Sequence, residues 1–159
     1  MMMNRIVVPL AALLVLSFGC GGKGPDDPIT GTWGNDRCYG DTTMPSDIES
    51  CKLSIKFDRD LTVLIIDNRQ SRPAAAVNPR CIANRAITGL KYSTSQGTLT
   101  LSGTTTSTLE RKSCANAADN LSPTADTRDT VSQGNHAYTI VDKTLSIKSG
   151  DLAGDFTLQ

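Results

Sequence analysis

Residues 52 to 57 read Lys-Leu-Ser-Ile-Lys-Phe, and this strict alternation constrains the fold more than any other feature of the chain. Successive side chains of an extended strand point to opposite sides, so Leu53, Ile55 and Phe57 share one face and Lys52, Ser54 and Lys56 the other. One face is dry and the other wet. Asp58, Arg59 and Asp60 then supply a turn. The more continuously apolar residues 61–67, Leu-Thr-Val-Leu-Ile-Ile-Asp, follow as a strand expected to be covered on both faces.

The short-period pattern recurs to the end of the chain. Residues 29–33, 88–93, 98–103, 106–112, 136–141, 144–149 and 154–159 read as strands, with residues 94–97, Gly103, Asp142 with Lys143, and residues 150–154 as connections. Eight or nine strands with turns about every ten residues predict an all-β domain, either an antiparallel barrel or a β-sandwich. Residues 68–84, with Pro73 and Pro79, and residues 113–134, rich in Asn, Asp and Thr, break the rhythm and are expected as long loops. A short helical turn is expected near residues 115–120.

The first residues obey a different logic. Arg5 precedes an unbroken apolar run over residues 6–16, and Ser17, Phe18, Gly19 and Cys20 follow: the charged, apolar, small-residue order of an export signal. A membrane-spanning helix needs about 20 apolar residues, and this run is too short. Residues 1–19 are therefore read as a signal peptide and residues 20–28, which include Gly-Gly-Lys-Gly-Pro-Asp-Asp-Pro, as a flexible tether. Residues 29–159 form one domain of ordinary size.

Five cysteines cannot all pair within one chain. Ser17-Phe18-Gly19 also fits cleavage by ordinary secretion, but attachment of lipid to Cys20 removes the odd thiol and leaves Cys38, Cys51, Cys81 and Cys114 as an even set. Their spacing is far wider than the close pairs of zinc sites, so a disulfide framework is expected. Four cysteines allow three pairings. Cys38 with Cys51 is preferred because both flank one connection between neighbouring strands, leaving Cys81 with Cys114. Simple up-and-down alternation, however, puts Cys81 and Cys114 at opposite ends of a barrel, so these two inferences conflict.

Leu16-Ser17-Phe18-Gly19-Cys20 resembles the lipobox of bacterial lipoproteins, in which the cysteine is acylated and becomes the new N-terminus; Ser17 and Phe18 depart from its commonest residues. The resemblance implies attachment to a membrane through acyl chains on Cys20, and Gly21, where Asp commonly marks inner-membrane retention, implies the outer membrane of a Gram-negative bacterium. Gly31-Thr32-Trp33 in the opening strand resembles the first strand of lipocalin-like barrels. That likeness implies that Trp33 closes one barrel end and that a small apolar ligand is carried inside.

Chemistry-bearing patterns are sparse. The single histidine, His136, cannot build a two-histidine metal site, and its expected role is an exposed or hydrogen-bonded strand residue. No Gly-x-Ser-x-Gly elbow occurs. Asp58, Asp60, Asp119, Asp126 and Asp129 are expected in turns and loops, chosen for backbone hydrogen bonds. A calcium loop drawn from Asp119, Asn120, Asp126 and Asp129 matches no known ligand motif. Net charge is zero, and neither phosphate loops nor basic aromatic stripes occur, so nucleic acid is not an expected partner. The expectation is a non-enzymatic, lipid-anchored binding or structural module of the cell envelope, of open specificity and without cofactor or metal, whose partner is an envelope protein or a small apolar ligand. A lipocalin-like carrier and a secreted hydrolase using loop carboxylates are the alternatives.

Overall fold

A computed structural model describes residues 27–40, 48–72, 81–114, 116–126, 131 and 133–159. Its strands are β1 (Gly31–Asn35), β2 (Ile48–Phe57), β3 (Thr62–Ser71), β4 (Ile82–Ser95), β5 (Thr98–Ser102), β6 (Thr106–Lys112), β7 (Leu121–Asp126), β8 (Gly134–Val141), β9 (Thr144–Ile147) and β10 (Gly154–Leu158). All pairings are antiparallel, and contact between β3 and β4 closes the sheet into an eight-strand barrel. The choice between barrel and sandwich thus falls to the barrel.

Alternation in β2 and β3 produces the core directly. Leu53, Ile55 and Phe57 are buried, as are Val63 and Ile65 of the partner strand, while Lys52 and Lys56 face water. The outer face of β3 is less dry than expected: Leu64 and Ile66 are only half-buried. Inside, Trp33, Leu90, Tyr92, Leu99, Leu145 and Phe156 join the same cluster, with the Phe57 and Tyr92 rings in edge contact at 5.0 Å. Leu53, Ile55, Ile65, Ile87, Leu90, Leu99, Leu145 and Phe156 expose no surface, so none of them borders a water-sized gap.

Two expectations about the connections fail for one reason. Gly103 does not reverse the chain. Ser95 to Lys91 pair with Thr98 to Ser102, and Thr88 to Ile82 then pair with Thr106 to Lys112, so β5 and β6 run in line along one side of β4. Gly89 and Gly103 mark the junction, where the two backbones nearly touch: a Cβ on Gly89 would lie 2.0 Å from the Thr104 carbonyl oxygen, and both glycines have positive φ. β7 and β8 likewise lie in line, β7 along β6 and β8 along β5. The ten strands among the described residues therefore occupy eight barrel positions, and the alternating strand count gives way.

Both expected long loops also contain strand. β3 continues to Ser71 and β4 begins at Ile82, with Asn68 opposite Asn84 and Gln70 opposite Ile82. β7 lies within the second stretch, after a single 3-10 turn at Ala117–Asp119. These strands escape the alternation test because their inward positions hold charged, polar or small residues, among them Arg69, Ala83, Thr124 and Asp126, instead of large apolar ones.

The connections define two ends. The near end carries residue 27, the 58–61, 96–97 and 142–143 turns, and the C-terminus. The far end carries the connection leaving β1, the starts of β2 and β4, and the region where β3, β4, β6 and β7 run on together.

Candidate functional site

The inward row of β3 begins as core with Val63 and Ile65, then turns charged at Asp67 and Arg69. Register places Asp67 opposite Arg85 of β4, and Arg85 opposite Leu109 of β6. Asp126, at the end of β7, stands opposite Ser107 of β6. Four charged side chains thereby meet on the inner face at the far end. Arg69 Nε donates to Asp67 Oδ2 at 2.7 Å, Arg85 Nη1 lies 3.6 Å from the same oxygen, and Arg85 Nε donates to Asp126 Oδ2 at 3.1 Å. Asp67 is 1% exposed. Burial pushes its carboxyl above the ordinary value of 3.8, opposed chiefly by the Arg69 guanidinium and then by the Tyr39 backbone and Arg85.

Disulfides brace this cluster on both flanks. Cys38 is bonded to Cys51, which stands opposite Arg69 in the β2–β3 register. The bond holds the connection leaving β1 over the cluster, where the Tyr39 carbonyl accepts from Arg69 Nη2 at 2.8 Å. Cys81 is bonded to Cys114, joining the approach to β4 with the exit from β6 beside the Ile82–Lys112 pair. Because β5 and β6 run in line, both cysteines lie at the far end.

Of the residues singled out from sequence, Cys20 lies outside the described residues, as does Asp129. Trp33 is buried near the near end and donates from Nε1 to the Ile29 carbonyl at 2.8 Å. The imagined calcium set does not assemble among the described residues. Asp119 lies in the 3-10 turn, Asn120 accepts from the Cys114 N–H through Oδ1 at 3.2 Å, and Asp126 faces Arg85. Asp60 does cap a turn, accepting from the Thr62 N–H at 3.1 Å, but Asp126 is a strand residue and not a loop acid.

His136 is buried, with Nδ1 3.0 Å from the Ser149 carbonyl oxygen and 3.4 Å from Ser149 Oγ. A carbonyl oxygen can only accept, so Nδ1 carries the proton and is not a base aimed at the serine hydroxyl. Asp67 and Asp126 both face Arg85, an arrangement suited to holding strands and presenting fixed charge. Sequence reasoning overlooked Asp67, Arg69 and Arg85. For Asp67 and Arg69 the signal was phase, since 63, 65, 67 and 69 form one uninterrupted inward row.

No protein-family model, curated protein or solved structure matches this chain.

Proposed function

We propose that this chain is a lipid-anchored lipoprotein of the cell envelope: Cys20 carries the acyl chains, residues 21–26 form the leash, and the barrel is a non-enzymatic module that engages an envelope protein. The observation that carries the reading is the placement of residue 27. Asp27 Oδ1 accepts from the Ile29 N–H at 3.1 Å, and its Oδ2 accepts from Thr94 Oγ1 at 2.7 Å, so the chain enters at the near end. A leash leaving there turns the disulfide-braced, charge-bearing far end away from the membrane, where a protein partner meets it. Two disulfides suit an oxidising compartment outside the cytoplasm.

Protein contact is favoured over carriage of a small apolar ligand because ligand pockets usually hold about 300 Å³ or more, and the fully buried core side chains border no water-sized gap. Hydrolysis is disfavoured because Asp67 and Asp126 both face a guanidinium and His136 Nδ1 is committed as a donor. Replacing Cys20 by Ala tests the anchor: the protein should leave the membrane fraction, and the mature N-terminus should lose its acyl mass. Unchanged membrane association without acyl loss refutes it. Density-gradient separation of inner from outer membranes tests the assignment to the outer one.

A further inference from the structure

The near end has a second property that the leash does not require. Among the described residues two large apolar side chains are exposed, Val141 at 66% and Leu158 at 40%, and both lie there. They stand at the same rim on opposite faces of the sheet: Val141 is in line with Thr144 and Thr157 on the outside, and Leu158 lies opposite Trp33 at the barrel mouth, its N–H donating to the Lys143 carbonyl oxygen at 2.9 Å. We propose that this end of the barrel rests on a phospholipid surface, with Val141 and Leu158 in contact with the lipid.

The length of chain before residue 27 identifies the occupant. Six residues separate Cys20 from Asp27, a span of about 25 Å when fully extended and about 15 Å on average for a Gly-rich leash. A domain of this size measures about 36 Å across. The leash is too short to let the far end turn over onto the bilayer, and it keeps Val141 and Leu158 within its reach of about 25 Å of the lipid. Charge adds no pull, since Lys56, Arg59 and Lys143 are matched by Asp58, Asp60 and Asp142 in and beside the same turns. The contact is therefore apolar and indifferent to anionic lipid. Lys143 can lay its methylene stem along the interface with its ammonium in water. This inference rests on the lipidation of Cys20.

The test uses the full lipoprotein, processed in a bacterial host and reconstituted into phosphatidylcholine vesicles containing lipid brominated in the upper acyl chain. Val141→Trp should show blue-shifted emission and quenching beyond that of the unsubstituted protein, whose Trp33 sets the background. Ser122→Trp, on exposed β7 at the far end, should show neither. Hydrogen exchange on the unsubstituted protein provides the same reading without a variant: amides of residues 141–143 and 158–159 should exchange several-fold more slowly on vesicles than in the Cys20→Ala protein. Equal quenching at both positions, or at neither, in a protein that floats with the vesicles and carries acyl mass overturns the docking and leaves the anchor intact. Quenching that requires anionic lipid overturns the apolar contact. A protein without acyl mass that fails to float overturns both.

Discussion

At the near end Trp33, Ile29 and Phe57 close the barrel with apolar surface and a single indole hydrogen bond, whereas at the far end the same inward positions hold Asp67, Arg69, Arg85 and Asp126. Among the described residues the near end contains no cross-link, and the far end contains both disulfides. Burying apolar side chains stabilises by about 1.5 to 3 kcal/mol each, while a buried ion pair roughly breaks even against its desolvation. An extension lined with charge cannot hold itself together as a dry core does. Covalent bonds supply what the missing apolar contacts would have given.

Trp33→Ala should produce the largest loss, about 4 kcal/mol, because it empties the closed end and leaves the Ile29 carbonyl without its donor. Urea unfolding should give the same loss at pH 5 and pH 7, since no titratable side chain hydrogen-bonds to the indole. A loss below about 1 kcal/mol would show that the near end is not held by burial. Removing Cys81–Cys114 by paired serine substitutions comes next. Closing a 33-residue separation predicts about 3.7 kcal/mol, against about 2.9 kcal/mol for the separation of 13 from Cys38 to Cys51. Hydrogen exchange should rise in β6 and β7 and stay unchanged in β9 and β10. Uniform loosening would break the distinction between the ends.

Legibility from sequence divides along the same line. Leu53, Ile55, Phe57 and Leu145 declared their strands because a dry inward face forces apolar residues at every second position. At the far end the inward face holds charged, polar or small residues, so residues 68–71, 82–84 and 121–126 look like loops although they pair as strands. Topology was hidden by Gly103, which sits at an in-line junction that mimics a hairpin turn in sequence. The cluster itself was half-legible. Phase alone places Asp67 and Arg69 inward, but only pairing brings Arg85 and Asp126 to them.

Arg85→Ala tests the cluster directly. Arg85 contacts Asp67 and Asp126 together, and removing it leaves two neighbouring carboxylates, one of them fully buried. The expected cost is about 2 to 3 kcal/mol at neutral pH, below the usual 3 to 5 for an uncompensated buried charge because Arg69 still faces Asp67. Acidification should recover part of it as the carboxylates shed their charge, measured by urea midpoints across the carboxylate range. A loss that is identical at both ends of that range would mean Arg85 acts by packing alone.

The smallest effect concerns the pH slope of the intact cluster. Burial raises the Asp67 carboxyl above 3.8, so the folded state binds a proton that the unfolded state has released between that value and the raised one. Stability from this group therefore increases as pH falls through that window and decreases as pH rises through it. Glu110 slopes the other way. Hydrogen bonds from Asn84 and Lys112 hold its carboxyl below 4.5, and its contribution, present above 4.5, fades as pH falls through the lowered value. Asp67→Asn keeps the shape, removes the first slope and leaves the second, so the variant should lose relatively more stability than the parent on acidification. Glu110→Gln should do the reverse. If Asp67→Asn leaves the parent's pH profile unchanged, the arginines offset the burial of Asp67 in full, and the far end is electrostatically neutral ground like the near one.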